Sequence, residues 1–527
     1  MSRVQNLDVF NGPLEGTRLV EASAGTGKTW NLCGLYLRVL LEQRRQVQQV
    51  LVVTFTKAAT AELRERIRSR IAETLAHLAG RAVTGADPFV PTLLDSLRTR
   101  GLDDGDMRVR LNEALLAFDE AAIFTIHGFC QRALADTPFS TRMPMQVELL
   151  EDDAMLRAEV VHDFWRRRVA DAALNPQLAT HLVQRGDTPQ RFDALLKRQL
   201  AKPLARLVWP AGMESPGVLD ASNAEQALQQ VRTLWRADRD GIVRTLQRGL
   251  SQLDGRRYKA GTVEGGALEW DAWIAVDRVG DLLSLDGKKP GYYGRTQLEV
   301  YTKAKCTTPR HAFFDAAQDL LDALATLRQS LGLHRLRLLR DLLLEGTQAL
   351  RDAKRQRRVI AFDDMLFNLH ERLHGDGGPA LAASLRARFP AALIDEFQDT
   401  DPLQFGTFDR LYGGSESTLF LLGDPKQAIY SFRNADLHTY LQAKQSARAE
   451  YTLLENQRSS QPLLEGLNAL FSAQPAAFMQ AGLSFLPAQF GRKPRPAFED
   501  HSAPRAALQL WRLPARGAGG EPLLGRE

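Results

Sequence analysis

What this 527-residue chain has little of narrows its class first. It carries three cysteines, Cys33, Cys130 and Cys306, far apart and outside any CxxC or Cys/His cluster. That spacing argues against a disulfide framework and a zinc site, and it suits a reducing compartment. No N-terminal stretch has the apolar core of a secretory signal, and no apolar run approaches the ~18 residues of a membrane span. A cytoplasmic location without a membrane partner is therefore expected. Charge of one sign is also scarce: 68 Lys and Arg face 63 Asp and Glu, a net +5 with a pI near 9.1. That excess permits a nucleic-acid partner without demonstrating one. Internal repeats and long low-complexity tracts are missing too. What is there is globular in character, 44% hydrophobic and 25% charged, and the length suggests roughly three or four domains.

The texture changes twice along the chain. Up to about residue 135, apolar runs alternate with amphipathic segments. Residues 49–55 (QVLVVTF) form a run suited to a parallel strand buried on both faces, residues 60–71 (TAELRERIRSRI) a charged amphipathic helix, and residues 121–126 a short strand before His127-Gly128. From about 136 to 354, long Leu/Ala/Arg segments such as 313–340 predict a helical insertion, broken by Gly/Pro loops near 203–222 and 287–294. Strand–helix texture returns at 391–394 and 418–422. A further unit is expected from 451 to 527. The expected fold is α/β: a parallel sheet built from 1–135 and 355–450, interrupted by the helical insertion.

The segment EASAGTGKT, residues 21–29, carries the most chemistry. Read as Ala22-x4-Gly27-Lys28-Thr29, it fits a phosphate-binding loop with Ala in place of the usual first Gly. Backbone N–H groups from Ala22 through Ser23, Ala24, Gly25, Thr26 and Gly27 can wrap a polyphosphate. Lys28 can reach the β- and γ-phosphates, and the Thr29 hydroxyl can ligate Mg²⁺. Residues 18–21 predict a strand before the loop and residues 30–41 a helix after it, an arrangement that aims a helix N-terminus at an anion. The competing reading is a Gly/Ser/Thr-rich surface turn.

A phosphate loop needs a metal-holding carboxylate and a group to position water. Leu393-Ile-Asp-Glu-Phe-Gln-Asp399 supplies both at the end of an apolar run. Asp395 is expected to hold Mg²⁺, and Glu396 to orient and deprotonate the attacking water. A third element, Leu422-Gly-Asp-Pro-Lys-Gln427, also follows a buried-type strand, and its Gln427 is placed to sense the γ-phosphate. Tyr430, Phe432 and Arg433 come next. Aromatic rings so placed are usually core, but the flanking Lys426 and Arg433 favour a platform on which bases stack.

EASAGTGKT, TFTKAATAELRERIR (54–68), FTIHGFC (124–130), IDEFQDTDPLQ (394–404), LGDPKQAIYSFRNAD (422–436) and NQRSS (456–460) stand in an order that resembles superfamily 1 helicases of the UvrD/Rep type. Among these, the wording is most similar to RecB-like helicase–nuclease subunits. The resemblance implies a RecA-like motor fold, with the insertion as a helical second subdomain and 451–527 as the start of a second motor domain. It implies ATP and Mg²⁺ as cofactors. It also implies a single-stranded DNA track lined by Thr54, Phe55, Thr56, Lys57, Thr125 and His127. Phe55, Tyr430 and Phe432 would lie against bases, Thr56 and Arg433 would hold the strand, and Arg458 would reach the γ-phosphate as an arginine finger. Each has a plainer alternative: Phe55 as strand-end core, His127 as a hydrogen-bonding turn residue, Arg458 as a helix-start ion pair.

The implied function is ATP-driven 3′→5′ translocation and unwinding of DNA, with duplex ahead of the motor. It would operate in a heterotrimer with RecC-like and RecD-like subunits, in double-strand break repair and homologous recombination. Two departures qualify it. Gln457 stands where relatives commonly carry an aromatic residue that stacks on adenine. The later motor motifs and the nuclease domain have no counterpart in these residues, so a front portion of a longer protein is expected, with poor unwinding of its own. Two other readings remain: a nucleotide- and DNA-binding fragment without motor activity, and an RNA helicase. Asp363 and Asp364 match a family signature without an assigned role. Lys288, Lys289, Tyr292, Tyr293 and Arg295 form a basic–aromatic loop, read as solvated in preference to a duplex contact.

Overall fold

The computed structural model describes residues 5–81, 88–137, 147–171, 174–215, 217–285, 287–430, 435–474, 477–493 and 507–509. It divides into two compact units, residues 1–149 with 360–527, and residues 150–359.

The first unit is built on a parallel sheet of seven strands among the described residues. They are β1 (Gln5–Asn6), β2 (Thr17–Ala22), β3 (Val50–Thr54), β4 (Ile123–Thr125), β7 (Ala391–Ile394), β8 (Thr418–Gly423) and β9 (Ala449–Leu453). The short strands β5 (Glu148–Leu150) and β6 (Val359–Ala361) pair with each other elsewhere. The main sheet runs β1-β9-β2-β8-β7-β3-β4. Its central strands are continuous apolar runs because both faces are covered: all residues of β3, β7 and β8 are buried. One face packs α1 (Lys28–Leu41), α2 (Lys57–Leu78), α3 (Phe89–Thr99) and α4 (Asp104–Leu116) through a core that includes Val52, Leu35 and Ile67. The opposite face packs α5 (Ile126–Asp136) and the helices Phe362–His374, Gly378–Arg388 and Pro402–Tyr412 through Leu51, Phe129, Leu369 and Phe408.

Register sets the position of the site. Glu21 is level with Gly423, Leu421 with Ile394, and Ile394 with Val53. The loops that follow β2, β3, β7 and β8 therefore emerge side by side, at the carboxyl ends of the strands where open α/β sheets bind ligands.

Several boundaries differ from the sequence expectation. The strand expected over 121–126 is Ile123–Thr125, because Thr125 caps α5: its hydroxyl accepts the Gly128 amide at 3.2 Å. His127 therefore sits in the first turn of a helix. The helix expected over 60–71 begins at Lys57, where the Thr56 hydroxyl caps it by accepting from the Ala59 amide at 3.0 Å. β9 lies between β1 and β2, which puts residues 451–453 in this sheet.

The second unit is helical and closes on aromatic rings. Trp235 in the helix Ser222–Arg248, Trp270 in Ala260–Ala275 and Phe313 in the 46-residue helix Ala312–Arg357 are fully buried. Their ring centroids lie 4.8 to 6.2 Å apart. Asp271 accepts from the Trp235 indole at 2.9 Å and from Arg239 at 2.9 and 2.7 Å, while the buried Trp270 indole nitrogen has no hydrogen-bond partner among the described residues. The loop near 287–294 turns inward. Tyr293 is buried, with its hydroxyl donating to the Val263 carbonyl at 2.8 Å. Lys288, Lys289 and Arg295 stay exposed. The expected basic–aromatic surface thus splits into a core ring and solvated cations.

Candidate nucleotide site and nucleic-acid face

The phosphate loop is shaped by two left-handed glycines. Gly25 has φ 80° and Gly27 φ 81°, values that side-chain-bearing residues rarely adopt. A Cβ on Gly25 would also stand 2.8 Å from the Cβ of Arg458. Thr26 closes the turn, its amide and hydroxyl both donating to the Ser23 carbonyl, at 3.1 and 2.7 Å. α1 then starts at Lys28, so the first amides of α1 face the loop with their partial positive charge. Thr29 follows in the same first turn and is half-buried.

The carboxylates of β7 meet this loop. Lys28 Nζ pairs with Glu396 Oε2 and lies 3.6 Å from Asp395 Oδ1. Asp395 is anchored by its backbone amide, which donates to the Val53 carbonyl at 2.8 Å. Its buried Oδ1 has no hydrogen-bond donor. Burial pushes its carboxyl up; the Lys28 ammonium opposes that shift and the Glu396 carboxylate adds to it. A buried carboxylate oxygen without a donor among the described residues, immediately past the strand and beside Lys28, fits a hard divalent cation. Asp395 and Thr29 are the residues that would hold Mg²⁺. Glu396 has φ 52° and ψ 41°, a left-handed conformation sparsely populated outside glycine. It turns the side chain back toward Lys28, and Gln398 Nε2 donates to its Oε2 at 2.7 Å. Asp399 is pushed up to about 6, first by burial and then by the Glu396 charge, with Lys28 opposing.

Two further segments close on the loop. Gln427 is exposed, and its side-chain amide donates to Asp424 Oδ2 at 2.7 Å. Asn456 clasps the loop directly: its side-chain amide donates to the Ala24 carbonyl at 3.0 Å while its Oδ1 accepts from the amides of Arg458 and Ser459, both at 2.8 Å. The Gln457 amide donates to the Gly25 carbonyl at 2.7 Å. The Arg458 side chain is exposed beside the loop. The Gln457 side chain donates to Glu455 and accepts from the Lys493 amide at 3.0 Å.

The residues expected along a DNA track fall into two groups. Phe55 and Tyr430 are half-buried and stacked on each other, with centroids 5.5 Å apart at 30°. Thr56 and Lys57 are exposed at the start of α2, and Thr125 is half-buried at the start of α5. Thr54 differs: it is buried at the end of β3, and its hydroxyl is not at the surface. His127 lies 4.0 Å from Asp363 and edge-on to Phe362; burial holds its imidazole below the ordinary value, and Asp363 opposes the shift. Phe432 and Arg433 lie outside the described residues.

Residues 3–448 match the UvrD/REP helicase N-terminal domain. The chain belongs to that family. It is similar to the RecBCD enzyme subunit RecB of Escherichia coli K12, 34% identical over 98% of this chain and 43% of the relative. The subunits of that name from Haemophilus influenzae and Chlamydia trachomatis are 31% and 29% identical, each over 92% of this chain and over 42% and 45% of the relative. The chain spans about two-fifths of the length of these curated relatives.

Sequence reasoning passed over Asn456 and Gln398, because an amide side chain has no characteristic spacing and earns its role only by what it faces. It also passed over His370-Glu-Arg-Leu-His374, a string with metal-site spacing on one helix face. The two rings stack at 4.1 Å. Among the described residues, no group of three or more His, Cys, Asp or Glu could hold a metal ion. No helix among the described residues is long and apolar enough to cross a membrane.

Proposed function

We propose that the first unit is an ATP-hydrolysing motor domain. In this reading the chain works as the 3′→5′ DNA helicase and translocase subunit of a RecBCD-type helicase–nuclease, acting in double-strand break repair and homologous recombination. Its partners would be DNA and RecC-like and RecD-like subunits. The observation that carries the proposal is Lys28, held by the phosphate loop against both Asp395 and Glu396. A lysine in that place, paired with two carboxylates, is set to exchange them for phosphate.

Each group has its own part in this reading. Lys28 and the loop amides hold the β- and γ-phosphates. Thr29 and Asp395 would hold Mg²⁺, which would supply charge neutralisation for the phosphates. Glu396 loses the Lys28 ammonium when phosphate takes it, and its freed carboxylate accepts the proton of the attacking water. Gln427 contacts the γ-phosphate and Arg458 stabilises the charge on the transferring group. Bases stack on Phe55, Tyr430 and Phe432, while Lys57, Thr56 and Arg433 hold the strand. His127 and Thr125 border the same track.

The test is Mg–ATP binding and single-strand-stimulated hydrolysis by the purified chain, with Lys28→Ala and Glu396→Gln beside it. Lys28→Ala is expected to lose binding and turnover, and Glu396→Gln turnover alone. Equal loss of binding in both variants would overturn the assigned roles. Polarity is read from unwinding of 3′-tailed against 5′-tailed duplexes, and DNA against RNA from matched oligonucleotides.

A further inference from the structure

Behind the phosphate loop runs a line of ion pairs that the hydrolysis roles leave unused. Glu21, the last residue but one of β2, is 5% exposed, and each of its carboxylate oxygens takes one ammonium. Lys426 Nζ lies 2.5 Å from Oε1 and Lys444 Nζ 3.3 Å from Oε2. Lys426 Nζ also lies 3.0 Å from Asp424 Oδ1, and Lys444 Nζ 2.6 Å from Glu450 Oε1. Burial alone would depress the Lys426 ammonium; Glu21 and Asp424 more than offset it and hold it above its ordinary value. Asp424 is 3% exposed and carries the Gln427 amide on its other oxygen at 2.7 Å.

The line continues to the catalytic carboxylate. The Asp424 backbone amide donates to Gln398 Oε1 at 3.0 Å, and Gln398 Nε2 donates to Glu396. Glu396 pairs with Lys28. A path that starts at Glu21, just before the phosphate loop, thus returns to Lys28 within it. Every link is a charge pair or a hydrogen bond between buried or half-buried groups, where such contacts resist rearrangement more than at the surface.

We infer that Glu21 and Lys426 are positioning residues for the turn that bears Gln427, holding it in register with the phosphate loop so that nucleotide occupancy reaches Tyr430. The inference rests on the nucleotide-site reading above. The turn Pro425–Gln427 is only three residues long and is tied to the rest of the unit through Asp424 and through the Lys426–Glu21 pair. Lys426 sets which way the Asp424 carboxylate faces, and that carboxylate sets where Gln427 begins. Tyr430 lies three residues further on, stacked on Phe55, so a shift of the turn changes the base-binding pair.

The test measures single-strand affinity of the purified chain with and without a non-hydrolysable ATP analogue, together with analogue affinity and melting temperature. Linked sites typically shift each other's affinity by ~5–150-fold, and the wild-type chain is expected to fall in that range. Lys426→Met and Glu21→Gln are expected to bring the ratio toward one while analogue affinity holds, and Lys426→Arg to restore part of it. Should a single variant fail to fold for want of its partner charge, the double variant Glu21→Gln/Lys426→Met removes both charges together and is read instead. A folded double variant with the wild-type ratio overturns the inference, as does a wild-type chain that binds the analogue without any shift. A wild-type chain that binds no analogue overturns the nucleotide-site reading itself, and this inference with it.

Discussion

The two units place buried polarity differently. In the helical unit, carboxylates are neutralised in pairs: the half-buried Asp271 with Arg239 and the Trp235 indole, and the buried Asp187 with Arg335 at 2.5 and 2.7 Å. In the sheet unit, carboxylates gather where β2, β7 and β8 end, and some are left incomplete among the described residues. Asp395 Oδ1 and Asp399 Oδ1 lack donors, and Glu396 holds a left-handed backbone. Satisfied pairs stabilise and specify a core; unsatisfied carboxylates beside a lysine are a binding site waiting for charge. The comparison separates scaffold from chemistry without reference to any motif.

That contrast can be broken by substitution, and the largest effect belongs to the sheet unit. Lys28→Ala is expected to reduce ATP turnover by at least about 100-fold, the scale of losing an electrostatic contact made in the transition state. The melting temperature should stay near wild type, because Lys28 is no part of the hydrophobic cores that cover the sheet. An unfolded variant, seen by circular dichroism, would make Lys28 a structural residue.

Next comes the helical unit. Trp270→Ala empties a fully buried ring site and is expected to destabilise that unit by about 3–5 kcal/mol. Denaturant melts should show the loss, while nucleotide affinity of the folded protein stays unchanged. A loss of affinity without a loss of stability would make the scaffold reading wrong.

A single base stack is smaller. Phe55→Ala should weaken single-strand binding by about 1–3 kcal/mol with little change in salt dependence, since no phosphate contact is lost. If affinity held and only stability fell, Phe55 would be strand-end core.

The smallest effect is a pH dependence. Burial pushes the Asp399 carboxyl up to about 6 in the folded state, above the ordinary carboxylate value of about 4. The folded state therefore binds the proton more tightly than the unfolded chain, and stability falls as pH rises between roughly 4 and 6. Asp399→Asn removes that penalty. The variant should melt higher than wild type at pH 7 to 8, and the difference should vanish below pH 4. A constant difference across pH would mean that the carboxyl is not strained by burial.

Much of the sheet unit was legible because its signals are local. A buried parallel strand must be a continuous apolar run, and β3, β7 and β8 were visible as such. A loop that wraps phosphate needs small residues in sequence, so residues 22–29 stood out. His127 and Thr54 show where locality fails. Whether Thr125 ends a strand or caps a helix depends on which amide its hydroxyl meets, here Gly128. Thr54 followed the same apolar run as its neighbours but points into the buried end of β3. The Lys288–Arg295 loop had the composition of a nucleic-acid surface, yet Tyr293 was drawn inward by the rings around it.

The amino-acid sequence alone determined the parallel sheet, the glycine loop of residues 22–29 between a strand and a helix, and the helical character of most of the insertion read over 136–354. Each rests on periodicity or on residues within a few positions of one another, where backbone geometry leaves little choice. Only the tertiary structure decided that Asn456 clasps Ala24, that Gln398 joins Glu396 to Asp424, and that Glu21 sits between Lys426 and Lys444. Those partners are up to several hundred residues apart, and an amide or ammonium acquires a partner only when the register of the strands carries the two together.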